Sequence, residues 1–411
     1  MEKQNVFHET RREANAVAWM LPPPVKEAID RLEGAGFAAY AVGGCVRDWL
    51  LGAAPHDYDI CTAASPSEMQ RVFAGERTIE TGLKHGTLTV ILRQMSIEIT
   101  TFRQDGEYLD GRHPETVTFT RRVEDDLARR DFTINAMAYS PARGLADPFD
   151  GRGDCARGLI RCVGQPEKRF GEDALRILRA LRFSARLGFP IEENTAAALR
   201  AGRGMLGRIS RERIAAEMNG LLLGSHAGEI LTAYAEVIDA ALNGGGQIDW
   251  AAAAPAVDGV PLDGAVRWAA LLAGAKGRHA DILKALKMPN RLTNDVDALI
   301  AWGDALLTAD KMQYALMKLG AENAKRLIAL QAALDPRQAG ETARALQARL
   351  DQLLREDACC TLGQLAVNGR DLAALGLRGP AIGQTLNRLL EGVTWGRWPN
   401  EKEALLKEAG Q

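Results

Sequence analysis

Asp57 and Asp59, two acidic residues separated by one position, are the residues of this sequence best suited to bind a metal ion. At the start of a β-strand their side chains would project to the same side, because successive side chains alternate between the two faces. Two like charges this close are unfavourable unless a cation lies between them, and carboxylate oxygens suit Mg²⁺ together with substrate phosphates. The pair therefore predicts metal-dependent phosphate chemistry, although a solvated acidic turn would show the same pattern.

A glycine pair upstream of these acids could hold a phosphate group. Gly43 and Gly44 follow an apolar run that ends at Val42, and they precede a helical pattern that contains Arg47. Glycines allow close approach of the backbone, the N–H groups at a helix start attract anions, and an arginine can bind a phosphate tail. The spacing matches neither GxGxxG nor a Walker A loop. A tight strand-to-helix turn without a ligand explains the same residues about as well.

Two more charged positions are candidates for the same site. Glu98 lies in a predicted strand on the face opposite Ile97 and Ile99, where it could complete a three-carboxylate metal site or simply be an exposed strand residue. Arg130 follows Arg129 immediately before an apolar helical run, and a pair of arginines there suits phosphate binding. Taken alone, such a pair is more often part of a solvated surface.

A predicted helix over residues 172–186 carries a polar stripe. Residues three positions apart are neighbours on a helix, so the stripe contains Asp173, Arg176, Arg179 and Arg182. Leucines at the intervening positions would bury the opposite side. Such a stripe usually belongs to an exposed helix whose charges pair with one another in salt bridges. Here three arginines have too few acidic neighbours to neutralise their charge, which indicates an anionic ligand.

Alternating strands and helices in the first third of the chain must position these residues. Ser65 followed by Pro66, with Glu68 in the first turn, is a helix-start signal. After residue 170 strand signals nearly vanish, so an α/β unit followed by helices is the predicted layout. Strands are predicted at residues 37–42, 87–92, 96–102 and 116–120, and helices at 25–34, 46–51, 67–73, 172–186, 192–201, 211–223, 264–334 and 340–356.

Composition excludes several classes of protein. The 411 residues are 46% hydrophobic and 25% charged, which is ordinary for globular proteins, and the length predicts two to four domains. The 6 cysteines include no CxxC pair, so a zinc ribbon and a redox motif are excluded, and free thiols in a cytoplasmic protein are expected. No apolar run reaches the roughly 20 residues that span a bilayer, so no membrane partner is expected. A net charge of −2 does not indicate nucleic acid, which would have to bind local basic patches.

Six segments in order resemble the class II nucleotidyltransferases, which comprise the CCA-adding tRNA nucleotidyltransferases and the bacterial poly(A) polymerases. The segments are GGCVRDWLLG, HDYDICT, RRDFTINAMA, DPFDG, GEDALRILRALRF and RERIAAEM, and they span about residues 35–220. Each motif alone is weak, whereas six in the family's order and spacing are specific. The resemblance implies an α+β fold: a small polymerase-β-like α/β head (1–150), then a helical neck (151–225), body (226–335) and tail (336–411).

The resemblance also implies a role for most of the candidate residues. Asp57 and Asp59 match the family's metal carboxylates, whereas Glu98 as a third catalytic carboxylate is predicted from its strand position alone. The remaining matches concern nucleotide binding. They are Gly44 and Arg47 for the phosphates, Arg130 of the RRD motif, Asp173 and Arg176 for the base, and Arg179 and Arg182 as further nucleotide contacts.

The implied reaction is the addition of CCA to the 3′ end of tRNA from CTP and ATP. The expected cofactor is Mg²⁺, and this type of chemistry uses two ions. Cytosine and adenine both present an amino donor beside a ring-nitrogen acceptor. Asp173 could therefore accept from the amino group while Arg176 donates to the ring nitrogen. Uracil and guanine would turn a carbonyl oxygen toward the carboxylate, a mismatch that costs about 1–3 kcal/mol.

Two local segments favour full CCA addition over the other activities of the family. Residues 103–114, rich in glycine and charge, resemble the flexible loop of enzymes that add the terminal A, and residues 82–87 resemble CCA-adding members. A bacterial poly(A) polymerase and an inactive RNA-binding relative are the alternatives.

The expected partner is tRNA, bound by its shape and backbone through the tail. Each candidate contact in the tail could equally be a solvated surface residue, and the oligomeric state is not predicted. The candidates are Arg370, Arg378, Arg388 and Arg397.

Overall fold

The computed structural model describes residues 19–80, 82–83, 86–106, 116–242, 248–275, 277–303 and 307–410. Contacts divide the chain into two compact units, Met1–Ile214 and Ala215–Gln411. The predicted division into head, neck, body and tail is finer than these two units, and it stays a prediction.

In the first unit, strands and helices alternate before a run of helices begins at residue 151. The strands are β1 (Ala39–Val42), β2 (Asp59–Thr62), β3 (Arg77–Ile79), β4 (Thr87–Leu92), β5 (Met95–Thr101), β6 (Arg103–Asp105), β7 (Val117–Phe119), β8 (Ala138–Ser140) and β9 (Gly144–Ala146). The helices are α1 (Pro23–Gly34), α2 (Gly44–Leu50), α3 (Pro66–Val72), α4 (Val123–Ala128), α5 (Gly151–Arg157), α6 (Pro166–Glu172), α7 (Leu175–Leu187) and α8 (Glu193–Ala201). The predicted α/β layout followed by helices is confirmed.

Among the described residues, seven strands form one mixed sheet in the order β3-β4-β5-β2-β1-β8-β9. β2 and β5 are parallel, with Asp59 opposite Glu98. The other neighbouring pairs are antiparallel. β6 and β7 form a separate antiparallel hairpin in which Arg103 lies opposite Phe119. Asp59 and Glu98 therefore lie side by side on two central strands.

The burial pattern explains why these strands hold the acidic residues at a surface. In β5, Ile97 and Ile99 are fully buried while Glu98 is exposed, as the alternation predicts. In β2, Asp59 is exposed, whereas Ile60 and the two residues after it are buried. The apolar side chains therefore hold both strands in the core and leave the carboxylates at the edge of it.

The start of α3 follows the signal in its sequence. The Ser65 hydroxyl accepts a hydrogen bond from the Glu68 amide at 3.4 Å, and the Glu68 carboxylate accepts one from the Ser65 amide at 2.7 Å. Pro66 occupies the first turn, where its missing N–H costs nothing. Such a capping box contributes about 1 kcal/mol to helix stability.

One sequence-based prediction of an element is wrong, and several short elements were missed. The strands β3, β6, β8 and β9 were not predicted, because three residues are too few to show an alternation. The helix predicted over residues 172–186 is broken: α6 ends at Glu172, and Asp173 is extended, with φ −146° and ψ 103°. The break turns the chain between α6 and α7, so Asp173 does not belong to the arginine stripe of α7.

The second unit consists of helices in its described part, and α9 contains the boundary between the units. Within the described residues, no helix combines the length and apolar character needed to cross a bilayer. Gly320 interrupts α16 with φ 76° and ψ 168°. The helices are α9 (Arg211–Leu222), α10 (Ala227–Ala233), α11 (Ala235–Leu242), α12 (Trp250–Gly259), α13 (Gly264–Leu272), α14 (His279–Ala285), α15 (Asn290–Gly303), α16 (Met312–Leu334), α17 (Glu341–Arg355), α18 (Gly369–Ala374), α19 (Pro380–Thr394) and α20 (Lys402–Ala409).

Candidate active site

A cavity of about 640 Å³ in the first unit gathers most of the predicted site residues. We call it the carboxylate cavity. Its walls combine a glycine turn, acidic residues and a set of arginines, which is the combination expected for a site that binds phosphates and a cation together. It is lined by Gly43, Gly44, Cys45, Arg47, Asp48, His56, Asp57, Asp59, Arg130, Asp131, Asn135, Arg179, Arg182, Phe183 and Arg186.

The glycine turn connects β1 to α2 and requires glycine at its first position. Gly43 has φ 81°, a backbone conformation that side chains with a Cβ rarely adopt. A Cβ on Gly43 would also lie 2.9 Å from Nη1 of Arg130. The Gly43 amide donates to the carbonyl of Met137, the residue just before β8, at 3.0 Å. The turn therefore brings its backbone and the Arg130 guanidinium to the same wall of the cavity, and phosphate binding by Gly44 and Arg47 stays a prediction.

Asp57 and Asp59 both line the carboxylate cavity, but only Asp59 belongs to a strand. β2 begins at Asp59, and Asp57 lies in the preceding loop, so the strand alternation that predicted their common side does not apply to Asp57. The expectation that the two carboxylates face one site is nevertheless supported by the shared cavity.

The pKa of Asp59 is raised from its ordinary value. Partial removal from water is the largest cause, and the negative charges of Glu98 and Asp57 add to it, while Arg130 opposes them. Both acidic neighbours therefore repel Asp59 in the absence of a cation. Carboxylate oxygens are the ligands that Mg²⁺ prefers, so the donor set and its charge fit this metal ion.

Glu98 lies beside Asp59 on the neighbouring strand. No group of three or more His, Cys, Asp or Glu side chains in the described part of the chain is placed to hold a metal ion. The described residues that line the carboxylate cavity do not include Glu98. The structure brings Glu98 into electrostatic contact with Asp59, and its role as a ligand stays a prediction.

Arg47 is held on the cavity wall by neutral and acidic partners. Only 5% of the residue is exposed. Nη1 donates to Oδ1 of Asn135 at 2.7 Å, and Nε and Nη2 donate to Oδ1 of Asp48 at 2.9 and 2.7 Å. The guanidinium is thereby fixed in one orientation beside the glycine turn.

The ring of Phe183 contacts the guanidinium groups of three arginines. Its ring lies 5.2 Å from the guanidinium carbon of Arg47, 5.4 Å from that of Arg179 and 4.3 Å from that of Arg182. A ring face attracts cations and lowers the cost of holding like charges close together. The arginine stripe of α7 therefore reaches the cavity through Arg179 and Arg182, whose nucleotide contacts stay a prediction.

Asp131 accepts hydrogen bonds from Arg179 and Asn135, two residues that line the carboxylate cavity. Its Oδ2 accepts from Nε and Nη2 of Arg179 at 2.7 and 2.6 Å, and its Oδ1 accepts from the Phe132 amide at 2.8 Å and from Nδ2 of Asn135 at 3.3 Å. Burial alone would raise the pKa of Asp131, but the charges of Arg179 and Arg176 and the hydrogen bonds outweigh it and lower the pKa to about 2. Asp131 therefore stays ionised at neutral pH and fixes Arg179.

Asp173 and Arg176 do not line the carboxylate cavity, and they contact other partners. Asp173 accepts from the Leu175 amide at 3.0 Å and from Nη2 of Arg213 at 2.7 Å. Arg176 donates to Glu172 at 2.7 Å and to the backbone carbonyls of Arg129 and Arg169 at 3.0 and 3.1 Å. The predicted base-reading pair thus lies outside the lining of the carboxylate cavity, although the charge of Arg176 still acts on the cavity residue Asp131.

Several cavity residues were missed by the sequence analysis. Asp131 is the last letter of the RRD motif, so its acidic type was visible, but the partner Arg179 is 48 positions away. Arg186 continues the stripe of Arg179 and Arg182 at helical spacing, a signal that could have found it. The others lie within the motif segments, but the sequence indicated no role of their own for them, because their contacts come from packing. The missed residues are Cys45, Asp48, His56, Asp131, Asn135, Phe183 and Arg186.

The other predicted segments are only partly described. The loop predicted at 103–114 contains β6 and its residues 107–114 lie outside the described residues, as do residues 84 and 85 of the segment 82–87. The tail arginines 370, 378, 388 and 397 are all exposed, and Nη2 of Arg388 donates to the Glu408 carbonyl at 2.8 Å. Exposure is compatible both with RNA contact and with a solvated surface.

Three models of protein families match the chain. The Poly A polymerase head domain matches residues 39–161, which include the carboxylate cavity's acidic residues and its glycine turn. A model described as a probable RNA and SrmB-binding site of polymerase A matches residues 188–236. The model of tRNA nucleotidyltransferase domain 2 matches residues 263–409.

The chain is also similar over nearly its whole length to proteins of known activity. A CCA-adding enzyme of Limosilactobacillus fermentum is 37% identical over 94% of this chain and 96% of the relative. A CCA-adding enzyme of Bacillus stearothermophilus, solved in complex with CTP, has a TM-score of 0.80 and 33% identity, covering 95% of this chain and 97% of that structure. A Thermotoga maritima CCA-adding enzyme, solved in complex with tRNA, has a TM-score of 0.67 at 21% identity, covering 98% and 97%, and supports the fold.

Proposed function

Because the chain belongs to the family of CCA-adding enzymes, we propose that it adds CCA to the 3′ end of tRNA from CTP and ATP and releases pyrophosphate. The observation that carries this function is the carboxylate cavity, where Asp57 and Asp59 face the same space as a glycine turn and a set of arginines. No template strand is required if the protein itself selects the base.

Asp57 and Asp59 would hold Mg²⁺, with which a bound nucleotide is expected to share its phosphates. When bound, the metal would lower the pKa of the attacking 3′-hydroxyl and neutralise charge on the leaving oxygens. The fit rests on the carboxylate donors and on the raised pKa of Asp59, which burial and then the charges of Glu98 and Asp57 cause. Glu98 would act through its charge beside Asp59.

The arginines of the cavity would bind and orient the triphosphate. Arg47, Arg179 and Arg182 surround Phe183, and the first two are already fixed by hydrogen bonds to Asn135 and Asp131. Donors that are held in place before the substrate binds do not have to reorganise when charge develops. The pyrophosphate that leaves would therefore meet positive charge at the position where its own negative charge increases.

Base selection by Asp173 and Arg176 would require these residues to share or exchange their present partners. Both carboxylate oxygens of Asp173 accept hydrogen bonds, and Arg176 is only 11% exposed at its side chain. A base edge that offers an amino donor to Asp173 and a ring-nitrogen acceptor to Arg176 would keep both of these charged side chains hydrogen-bonded when it replaced their present partners. Uracil and guanine would present the opposite pattern at the carboxylate.

We expect Arg176→Ala to reduce the preference for CTP over UTP by about tenfold or more, since one mismatched polar contact costs about 1–3 kcal/mol. The melting temperature should also fall, because the variant loses the contacts to Glu172 and to the Arg129 carbonyl. The measurement is kcat/KM for each nucleotide with a tRNA that lacks its 3′ end. Arg208→Ala, on the exposed surface of the same unit, is the control. An unchanged CTP preference would remove Arg176 from base selection.

The RNA partner and the location follow from the proposed reaction. We propose that the helical second unit contributes tRNA contacts, with the exposed tail arginines as candidates, and that the fine division into neck, body and tail follows the family. A tRNA substrate supports a cytoplasmic location.

The function is tested by incubating the protein with Mg²⁺ and a tRNA that lacks its 3′ end, with CTP and ATP separately and together. We expect addition of two C residues with CTP alone, and of three residues, ending in A, with both nucleotides. A long product with ATP alone would identify a poly(A) polymerase, and no extension would identify an inactive RNA-binding relative. Chelation of the divalent ion with EDTA should stop all addition.

A further inference from the structure

Asp126 is a fully buried carboxylate in α4 that no part of the proposed mechanism uses. Its exposed fraction is 0%. Oδ1 accepts from Nε and Nη2 of Arg129 at 3.0 and 2.8 Å and from the Arg103 amide at 3.4 Å, and Oδ2 accepts from Nη2 of Arg130 at 3.3 Å. One buried group thus contacts both arginines of the RRD motif and the first residue of β6.

On one side, Asp126 reaches the carboxylate cavity through Arg130. Arg130 lines that cavity, and its Nη1 lies 2.9 Å from the position a Cβ of Gly43 would occupy. Its positive charge also opposes the rise in the pKa of Asp59. Arg130 therefore contacts the glycine turn and acts electrostatically on a proposed metal ligand, and Asp126 is the acid that accepts its hydrogen bond.

On the other side, Asp126 holds Arg129 and the start of the β6–β7 hairpin. Nη1 of Arg129 lies 3.7 Å from Oδ2 of Asp105, whose side chain is 5% exposed. Arg129 and Asp105 line a second cavity of about 710 Å³. These contacts anchor Asp126 from three directions, so its own position cannot shift without disturbing α4 and β6.

We propose that Asp126 is a positioning residue, which fixes the Arg130 guanidinium in the orientation required for nucleotidyl transfer. The proposal rests on the proposed function. Burial would raise the pKa of Asp126, but the charges of Arg129 and Arg130 lower it, so the carboxylate is ionised at neutral pH. A guanidinium held by an ionised carboxylate has a defined direction, whereas the same group without its partner can rotate.

We expect Asp126→Asn to lower kcat about 10²-fold, since a misplacement of about 1 Å at a reacting centre has that effect. The KM for CTP should change less than about threefold, because the displaced guanidinium keeps its charge and still attracts the triphosphate. Asp126→Glu, which retains the charge but moves it by one methylene, should lie between the wild type and Asp126→Asn. Steady-state kinetics and melting temperature are measured for both variants.

Asp154→Asn is the matched control. Asp154 is also 0% exposed, and it accepts from Thr133 Oγ1 at 2.6 Å, from Nη2 of Arg157 at 2.6 Å and from Nε of Arg161 at 2.8 Å. None of these residues lines the carboxylate cavity. The control should therefore lose stability to a similar degree while its kcat, measured below its melting temperature, stays near the wild-type value. An equal loss of kcat in both variants would show a merely structural role and overturn the proposal.

A double variant tests whether Asp126 acts through Arg130. In an Arg130→Gln background, Asp126→Asn should cost no further activity, because residues that act through one another are not additive. The double variant also replaces a charged pair by a neutral one, so it remains testable if Asp126→Asn alone fails to fold. The proposal would be overturned if the double variant lost a further tenfold or more in kcat relative to Arg130→Gln. It would also be overturned if Asp126→Glu and Asp126→Asn both folded and kept the wild-type kcat. Addition of CCA by the wild type separates this failure from a failure of the proposed function.

Discussion

Asp59→Asn is expected to lower kcat for CCA addition by about 10³-fold or more, since a bound metal ion contributes several kcal/mol of transition-state stabilisation. Asp59 is the first residue of β2 and lines the carboxylate cavity beside Asp57. An amide lacks the charge needed to hold Mg²⁺ against water. The loss should appear equally in C addition and in A addition, because both would use the same carboxylates.

The same substitution should not lower stability. The pKa of Asp59 is raised by loss of water and by Glu98 and Asp57, and an acid with a raised pKa in the folded state destabilises that state once it is ionised. Removal of the charge therefore leaves the melting temperature unchanged or higher. The affinity for tRNA should also be unchanged or slightly tighter, because one group that repels phosphates has been removed.

Asp30→Asn is the control for Asp59→Asn, since Asp30 is an exposed carboxylate of the same unit whose side chain is 53% exposed. It should keep wild-type kcat, melting temperature and tRNA affinity. Single-turnover addition, thermal unfolding and tRNA binding at fixed salt concentration measure the three quantities. If Asp59→Asn lost tRNA binding in parallel with activity, the assignment of Asp59 to the metal would be wrong.

Asp131→Asn is expected to damage both stability and activity. Asp131 is 7% exposed and holds Arg179 through two hydrogen bonds, so the variant leaves that guanidinium without its carboxylate. With a pKa near 2 against an ordinary 3.8, the carboxylate contributes about 2 kcal/mol to the free energy of unfolding at neutral pH. The melting temperature should fall by about 5 °C. Loss of this contact to Arg179 should lower kcat about 10²-fold.

The difference in the free energy of unfolding between the wild type and Asp131→Asn should depend on pH, in a direction set by the lowered pKa of Asp131. A carboxyl group with a lowered pKa in the folded state contributes its full stabilisation above the unfolded pKa of 3.8 and loses it as the pH falls toward about 2. The wild type and Asp131→Asn should therefore differ by a constant free energy of unfolding above about pH 4, and the difference should shrink below it. Urea unfolding from pH 3 to pH 7 measures it.

Asp150→Asn is the control for this series, because Asp150 is exposed, also accepts from an arginine, and lies outside the carboxylate cavity. It should change neither the melting temperature nor kcat appreciably. A pH-independent difference between the wild type and Asp131→Asn would contradict the lowered pKa. Full activity in the destabilised variant would show that Arg179 needs no fixed orientation.

The central strands and several helices could be predicted because their signals are local. The alternation of Ile97, Glu98 and Ile99 predicted a half-buried strand, and β4 was predicted at its observed bounds, Thr87–Leu92. The break after Glu172 was not predicted, because Asp173 and the residues that follow are compatible with a helix. The break is stabilised by contacts such as that between Asp173 and Arg213, which are distant in sequence.

What the sequence determined by itself is the chemistry that the site can perform. The types and order of the motif residues predict carboxylates for a cation, and a glycine turn and arginines for phosphates, because these predictions depend on side-chain identity alone. Only the tertiary structure decided which of these groups share a cavity. The lining of the carboxylate cavity contains Asp57, Asp59, Arg130, Arg179 and Arg182. It excludes Glu98 and Asp173, and it also contains Asp131 and Phe183. The reason is that hydrogen bonds and ring contacts between residues dozens of positions apart depend on how elements pack, and packing leaves no local pattern in the sequence.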